Sequence, residues 1–404
     1  MPVRPSRRKA IAPLVLATMA TQASIVVLVP IVVEVGRDLG ASVSAVGQAR
    51  TILAATAVVA ALVIGQAIDR VGVRPLLLGC GTLVLIGALA SAAAPSLGLF
   101  FAAQVPVGAG VACLLSAGFA GVAAFFEESE APWAMGYVVG SQSIAWIVGT
   151  PLIGVLSDFV SWRLAYAFPA VVAVGALAGG LLAPRNARAP RDAAQDGDKE
   201  GVRAVARDPS ARRWALAELV AYSAWTAELT YAGAFYVQTY GSSESTVGFL
   251  LAVGSFAFIA STLSSRRIAV RTGQRTLAVA GALGMGALLA LILNVTPSVW
   301  FTLGLFLVMA FCAGLRTTGS SVLGLSQLPA RPGSMMAART ASAQLGYMVG
   351  ALAGGAVLAV SDFGTLGFVL MTGMALSALL MLRVTEGRSR APAAGASGAA
   401  HAAP

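Results

Sequence analysis

Arg70-Val71-Gly72-Val73-Arg74 separates two long apolar runs, and Arg271-Thr272-Gly273-Gln274-Arg275 does the same in the second half of the chain. Two further pairs of segments match in the same order. Gly98-Leu99-Phe100 corresponds to Gly304-Leu305-Phe306, and Ser157-Asp158-Phe159 corresponds to Ser361-Asp362-Phe363. Three matches in order and at a nearly constant offset indicate an internal repeat, so we predict two similar halves.

Twelve apolar runs, six in each half, make up most of the sequence. They lie at 11–33, 48–67, 76–94, 98–126, 133–156, 164–183, 214–240, 246–264, 276–294, 299–326, 334–360 and 364–382. An apolar run of about 20 residues crosses a bilayer as a helix, because a helix satisfies its own backbone groups in lipid. We therefore predict an all-α membrane protein with 12 transmembrane helices in two pseudo-symmetric six-helix bundles.

The composition excludes the soluble classes of protein. Of 404 residues, 57% are hydrophobic and only 11% are charged, with a mean hydropathy of +0.82, whereas a soluble domain carries about 25% charged residues. The only histidine, His401, lies in the polar C-terminal stretch, so a Ser-His-Asp or Cys-His catalytic group lacks its base. Neither lysine belongs to a G-K-[ST] phosphate-binding loop. We expect neither an enzyme nor a cofactor.

The three cysteines are far apart in sequence. Cys80, Cys113 and Cys312 each lie inside an apolar run and have no C-x-x-C spacing. This pattern indicates neither a zinc or other metal site nor a redox pair. We expect all three to act as small residues in helix packing.

The basic residues predict how the chain is oriented, since cytoplasmic loops are rich in Lys and Arg. If the N-terminus is cytoplasmic, the opposite side holds only Arg37, Arg50 and Arg163. The net charge of +10 follows from this bias, so no nucleic-acid partner is needed. We predict a multi-pass protein of the cell (inner or plasma) membrane with both termini cytoplasmic. Its parts are a cytoplasmic N-terminus (1–10), the two bundles (11–183 and 214–382), a cytoplasmic linker (184–213) and a disordered tail (383–404).

The loop after the second run carries the most specific motif. Gly65-Gln66-Ala67-Ile68-Asp69-Arg70-Val71-Gly72-Val73-Arg74 resembles the G-x-x-x-D-R-x-G-R-[RK] loop of the major facilitator superfamily of secondary transporters, with Val73 at the first basic position. The resemblance covers nearly the whole chain and is to the drug/proton antiporter-like (arabinose-efflux-permease-like) exporters. It implies a latch that holds the outward-facing state, formed by Gly65, Asp69, Arg70, Gly72 and Arg74. A plain positive-inside turn is the alternative.

The fifth run is similar to the pattern of exporters in that family. Gly140 is followed by Gly149-Thr150-Pro151-Leu152-Ile153-Gly154, with a threonine between the glycine and the proline. Small residues let helices approach closely, and Pro151 is expected to kink the helix. The resemblance implies antiport rather than symport. In the fourth run, Gln104 occupies the position where drug/proton antiporters often have an arginine, which puts coupling through that position in doubt.

Four ionisable residues lie inside the predicted spans, namely Glu218, Glu228, Arg316 and Arg339. Charges at membrane depth are costly and mark functional sites by default. At 1.5 Å per residue, Glu228 would lie roughly 21 Å and Arg316 roughly 15 Å from the inner ends of their spans. The family resemblance implies that these spans line a central cavity, where the two residues can meet.

We hypothesise that Glu228 carries the coupling proton while Arg316 tunes it or contacts an anionic substrate. A permanent structural ion pair is the alternative. Glu218 is expected at an inner gate, in a salt bridge or against substrate, and Arg339 is expected to snorkel to the inner surface.

Polar and aromatic side chains suit an amphipathic ligand in this cavity. The expected lining is Gln22, Gln104, Tyr222, Trp225 and Tyr231. We predict a monomeric secondary transporter that exports a small drug-like or metabolite compound by alternating access, with the proton gradient as energy source. The alternatives are an uptake symporter or facilitator for a metabolite, and a transporter-like membrane sensor without flux.

Overall fold

A computed structural model describes residues 7–127, 129–183, 203–329 and 331–386, with the side chains of 7–9, 62–71, 132 and 332–333 outside the description. The greater part of the predicted linker and of the predicted tail lies outside these ranges. The described end of the linker is helical from 203, and the following span begins at Pro209 rather than at 214.

The described helices form twelve membrane spans, six in each half of the chain. In the first half, span 1 is Arg7–Val26 with Leu28–Asp38, span 2 Val43–Val71, span 3 Val73–Ala93, span 4 Leu97–Phe125, span 5 Ala131–Ile144, Ala145–Gly149 and Thr150–Phe159, and span 6 Trp162–Ala165 with Ala167–Leu182. In the second half, spans 7 to 12 are Pro209–Tyr240, Glu244–Thr272, Gln274–Asn294, Val299–Leu325, Pro332–Val360 and Phe363–Leu382. The predicted all-α fold is confirmed.

Span 7 is the most polar of these segments. Among the described residues, ten helices are long and apolar enough to cross a membrane, and the bent pair that forms span 1 makes an eleventh. Span 7 is 32 residues long, but its glutamates, threonines and tyrosines lower its mean hydropathy. Span 7 carries two of the four ionisable residues that the sequence singled out, Glu218 and Glu228.

The sequence repeat is present in the backbone geometry. Gly72 precedes span 3 with φ 86° and ψ 164°, and Gly273 precedes span 9 with φ 86° and ψ 157°. A positive φ is strained for a residue with a Cβ atom, which explains the glycine at both corners. Both halves therefore turn in the same way between their second and third spans.

Each half has its own apolar core, and the largest contacts between the described parts of the halves are made by three pairs of spans. Spans 2 and 11, spans 5 and 8, and spans 1 and 7 lie side by side. We call the side of the bundle that holds Arg7 and Glu386 the proximal side and the opposite side the distal side. On the distal side the halves are joined by a hydrogen bond from the hydroxyl of Thr150 to the carbonyl of Gly248, at 2.9 Å.

Span 1 is bent, and Arg50 stabilises the bend. The two helices of the span meet at 43° next to Pro30, which has no N–H to donate to the carbonyl of Val26. The neighbouring carbonyl of Ile25 accepts a hydrogen bond from Nη1 of Arg50 at 2.8 Å instead. Arg50 is only 5% exposed, so counting it among the loop charges of the opposite side is wrong. It lies within span 2 because the helix begins at Val43.

The expectation that all three cysteines serve only in packing is also wrong. Cys80 on span 3 and Cys113 on span 4 form a disulfide, with Cα atoms 5.9 Å apart, and Cys312 is free. Spans 3 and 4 are antiparallel neighbours, and a Cβ atom on Gly110 would lie only 2.8 Å from the carbonyl oxygen of Cys80. This close approach aligns two cysteines whose sequence separation carries no signal.

Candidate functional site

A carboxylate held by two arginines lies between spans 7, 10 and 11. Glu218 on span 7 is fully buried, and its Oε1 accepts hydrogen bonds from Nη2 of Arg316 and from the hydroxyl of Ser320, the latter at 2.8 Å. Nε of Arg339 on span 11 lies 3.7 Å from Oε2 of the same carboxylate. We call these four residues the Glu218 cluster. Two cations surround one anion, so the cluster carries an excess positive charge.

Local sequence explains why spans 7 and 10 present polar groups to each other. Arg316 and Ser320 are four residues apart on span 10 and share one helix face. Gly281 allows span 9 to pack closely against span 10 at Arg316, because a Cβ atom on Gly281 would lie only 2.7 Å from Cβ of Arg316. On span 7, the indole of Trp214 donates to the carbonyl of Ser320 at 2.9 Å. These contacts fix the depth in the membrane at which the polar groups of span 7 meet those of span 10.

Two tyrosines cover the cluster. The guanidinium carbons of Arg316 and Arg339 lie 5.3 Å and 5.9 Å from the ring centre of Tyr222. Tyr347 on span 11 packs edge-on against Tyr222, with ring centres 5.7 Å apart. Arg50 of span 2, in the first half, lies near Tyr347. The cluster and its tyrosines therefore extend from the core of the second half to the interface with the first.

The structure does not bring Glu228 and Arg316 together, because Arg316 binds Glu218. The predicted depths were wrong because span 7 begins at Pro209 and not at 214. At 1.5 Å per residue, Glu228 lies about 28 Å and Glu218 about 14 Å from the proximal end of span 7. Arg316 lies about 14 Å from the proximal end of span 10, at the depth of Glu218.

Glu228 occupies a separate cavity inside the second half, among spans 7, 9, 10 and 12. Its walls are apolar or aromatic: Tyr231, Ala232, Phe235, Tyr236, Leu289, Ile292, Leu293, Phe306, Phe363 and Leu366. In the described part of the chain no hydrogen bond or ion pair is formed by Glu228, and the buried hydroxyl of Tyr236 also has no partner there. A carboxyl group in apolar surroundings is better accommodated as the neutral acid, so this residue is suited to binding a proton.

The other aromatic residues predicted around Glu228 have different surroundings. Tyr231 lines the same cavity, and its hydroxyl donates to the carbonyl of Ala351 at 3.1 Å. Its ring also packs against Gly47 of span 2, in the other half. Trp225 packs edge-on against Phe258 of span 8. Tyr222 therefore belongs to the Glu218 cluster, Tyr231 to the interface and Trp225 to span packing.

The two predicted glutamines contact residues of their own half. Gln22 donates to the side-chain oxygen of Gln142 on span 5 at 2.9 Å. Gln104 is buried and donates to the hydroxyl of Ser91 on span 3 at 3.0 Å. Gln104 therefore does not line a cavity between the halves, since the face of span 4 that carries it packs against span 3.

The exporter-like stretch of span 5 includes a close contact with span 8. Gly154 lies against the carbonyl of Glu244, where a Cβ atom would overlap it. The carboxylate of Asp158 accepts hydrogen bonds from the backbone N–H groups of Glu244 and Ser245, at 3.0 Å and 2.9 Å. It thus caps span 8 across the interface. Pro151 follows a π-helical turn, Ala145–Gly149.

The remaining glycines of this stretch act within the first half or face open space. Gly149 packs against the ring of Phe168, whereas nothing lies within 4 Å of a Cβ atom at Gly140. Of the predicted latch, Gly72 and Arg74 lie at the corner before span 3. The side chains of Gly65, Asp69 and Arg70 are outside the description, so the latch stays a prediction.

Sequence reasoning missed the roles of two arginines. Arg339 does not simply snorkel: its side chain is 22% exposed and faces Glu218 and Tyr222. Arg50 had a usable signal, since it falls within the predicted run 48–67 and not in a loop. Both side chains are held at membrane depth by partners on other spans, which no local pattern indicates.

Comparison with known proteins identifies relatives over the whole chain. The family model for the Major Facilitator Superfamily matches residues 14–271 and 214–404. The purine ribonucleoside efflux pump NepI of Escherichia coli is 25% identical over 87% of this chain and 88% of its own. The transcription regulatory protein OpdE of Pseudomonas aeruginosa is 25% identical over 67% of this chain and 68% of its own. The multidrug resistance protein MdtM of Salmonella typhimurium is 27% identical, but the match spans only 38% of this chain and 37% of its own.

Solved structures share the fold at low sequence identity. The nucleoside transporter NupG superposes with a TM-score of 0.76 at 12% identity, over 94% of this chain and 98% of its own. The D-xylose–proton symporter superposes with a TM-score of 0.75 at 15% identity, over 95% and 99% of the two chains. These similarities support the fold of two six-span halves described above.

Proposed function

The chain belongs to the major facilitator superfamily of transporters, and from this premise we propose that it exports a small organic compound in exchange for protons by alternating access. The single observation that carries the proposal is the set of ionisable residues buried at membrane depth. Glu218, Arg316 and Arg339 form one group near the interface between the halves, and Glu228 lies apart in its own cavity. Buried charges are retained in membrane proteins mainly where they serve transport.

Export is the direction that the names of two relatives favour. NepI is named as an efflux pump and MdtM as a multidrug resistance protein. The span-5 stretch that resembles exporters contributes Gly154, which lies against span 8. We propose that this distal contact and the cap from Asp158 close the distal side in one state and separate in the other.

We propose that Glu228 is the proton-carrying residue. Its carboxyl group lies in a cavity with apolar walls and has no described partner, so the charged and the neutral forms of the group differ strongly in free energy there. The Lys/Arg distribution supports a cell-membrane protein whose proximal side is cytoplasmic. We propose a monomer, since both halves of the transport unit are on one chain.

Everted membrane vesicles test the proposal. Respiration acidifies their lumen, and a compound exchanged for protons raises the luminal pH, which acridine orange fluorescence records. With inosine and ethidium as probes, chosen from the relatives' names, and benzoate as an anionic probe, we expect wild-type protein to restore fluorescence with at least one of the three. Glu228→Gln should abolish the response, and the matched variant Glu34→Gln, on the partly exposed Glu34–Arg37 pair, should retain it. An unchanged response in Glu228→Gln would contradict the role of Glu228.

Two other functions have specific support, and the same assay separates them. The titles of NupG and the D-xylose–proton symporter favour uptake, which predicts that substrate and protons leave the everted vesicles together. The name of OpdE favours a membrane protein that controls transcription. A sensor predicts ligand binding by the purified protein without any change in luminal pH.

A further inference from the structure

We infer that the substrate is a small organic anion with one negative charge, bound between Arg339, Arg316 and the Tyr222–Tyr347 pair. The inference rests on the proposed transport function and names the class of substrate that its site accepts. The first observation is the charge of the Glu218 cluster. Glu218 is the one carboxylate that the described residues place against Arg316 and Arg339. One positive charge therefore has no counterpart.

The second observation is that the arginine donors are not all used. Arg316 is 1% exposed, and its Nε and Nη1 have no hydrogen-bond partner within the described residues. Nε of Arg339 also lacks one, because its 3.7 Å approach to Glu218 is too long for a hydrogen bond. Buried donors without acceptors are costly, more so when they are charged. An anionic ligand supplies both the missing acceptors and the missing charge.

The third observation is that this position contacts both halves. Arg339 is partly exposed and Tyr222 and Tyr347 are half-buried, so the cluster is not sealed inside the second half. Beyond Tyr347 lies Arg50 of the first half, whose described partner is the carbonyl of Ile25 and not a carboxylate. A ligand here touches elements of both halves, as alternating access requires. The tyrosine rings favour a planar or aromatic body for the anion.

A cationic substrate has no comparable partner in the described structure. Oε1 of Glu218 already accepts hydrogen bonds from Arg316 and Ser320, and its Oε2, which accepts none, is buried and faces the guanidinium of Arg339. Glu228 faces a cavity within the second half and lies about 15 Å further along span 7 than Glu218 does. The arrangement therefore selects against cations by charge and by access.

The test uses sets of ligands that share a ring and differ in charge. Thermal unfolding of the purified full-length protein is followed with benzoate, benzamide and benzylammonium, and then with two further ring-bearing monoanions, salicylate and phenylacetate. We expect a saturable rise in Tm with benzoate or another anion of the panel and no rise with benzamide or benzylammonium. Arg339→Gln should weaken binding of that anion at least tenfold, and Arg339→Lys should weaken it less. Arg267→Gln, on an exposed residue of span 8, should leave binding unchanged.

Three outcomes would overturn the inference: tighter binding of benzylammonium or benzamide, equal binding of the anion by Arg339→Gln, or no binding of any anion in the panel. None of these bears on whether the protein moves protons or probes in vesicles, so the transport proposal stands or falls by that separate assay. A response to inosine in vesicles together with no anion binding would retain the transporter and reject the anionic class.

Discussion

Replacing both members of the Glu218–Arg316 pair should destabilise the protein much less than replacing either one. Both side chains are almost completely buried, at 0% and 1% exposure. Glu218→Leu leaves the guanidinium of Arg316 without its counterion, and Arg316→Met leaves the carboxylate of Glu218 without its main donor. The double variant Glu218→Leu/Arg316→Met replaces the pair with apolar side chains of similar length.

The magnitude follows from the contacts that each variant loses. Glu218→Leu removes the hydrogen bond from Arg316, worth about 1.5–3 kcal/mol for a charged group, and the one from Ser320, worth about 1 kcal/mol. Their sum agrees with the loss of about 3–5 kcal/mol expected when one partner of a buried ion pair is removed. The double variant removes both members of the pair, and the cation that remains, Arg339, is 22% exposed, so we expect the variant to lie within about 1 kcal/mol of the wild type.

Equilibrium unfolding in mixed micelles by titration with sodium dodecyl sulfate measures these free energies. A double-mutant cycle then gives the coupling between the two positions, which we expect to be about 5 kcal/mol or more, because two losses of about 3–5 kcal/mol are replaced by one of about 1 kcal/mol. Additive effects of the two single substitutions would refute the reasoning, because they would mean that Glu218 and Arg316 contribute independently. Ser320→Ala provides a smaller reference change on the same carboxylate, of about 1 kcal/mol.

Three further predictions follow from other parts of the molecule. Glu228→Gln should change the free energy of unfolding by less than about 1 kcal/mol, because the carboxylate has no described partner to lose. The same variant should reduce proton-coupled transport in vesicles. A loss of stability as large as that of Glu218→Leu would contradict this prediction. Asp158→Ala should expose the first amides of span 8 to faster hydrogen exchange and cost about 1 kcal/mol, whereas Asp362→Ala, which removes a cap within one half, should leave those amides protected. The disulfide between Cys80 and Cys113 predicts that both cysteines react with maleimide only after reduction and denaturation, and labelling of either in the native, unreduced protein would refute it.

The fold could be predicted from the sequence because its causes are local. Length and apolarity of each run decide whether it can cross a bilayer, and the glycines at the two equivalent corners report a positive φ that other residues avoid. The buried ionisable residues could be recognised for the same reason, since a charge inside an apolar run is visible without a structure. The repeat of three short segments was sufficient to indicate two similar halves.

The pairing of those residues was decided only by the tertiary structure. A start of span 7 at Pro209 instead of 214 moves Glu218 to the depth of Arg316 and Glu228 beyond it. Such a boundary is set by the cap at Asp208, which accepts a hydrogen bond from the backbone of Ala211, and not by hydropathy. Likewise, Cys80 meets Cys113 and Gln104 meets Ser91 because spans 3 and 4 are packed neighbours. Sequence thus determined which side chains enter the membrane, whereas helix ends and packing faces determined which of them meet, because a contact between spans depends on depth and rotation together.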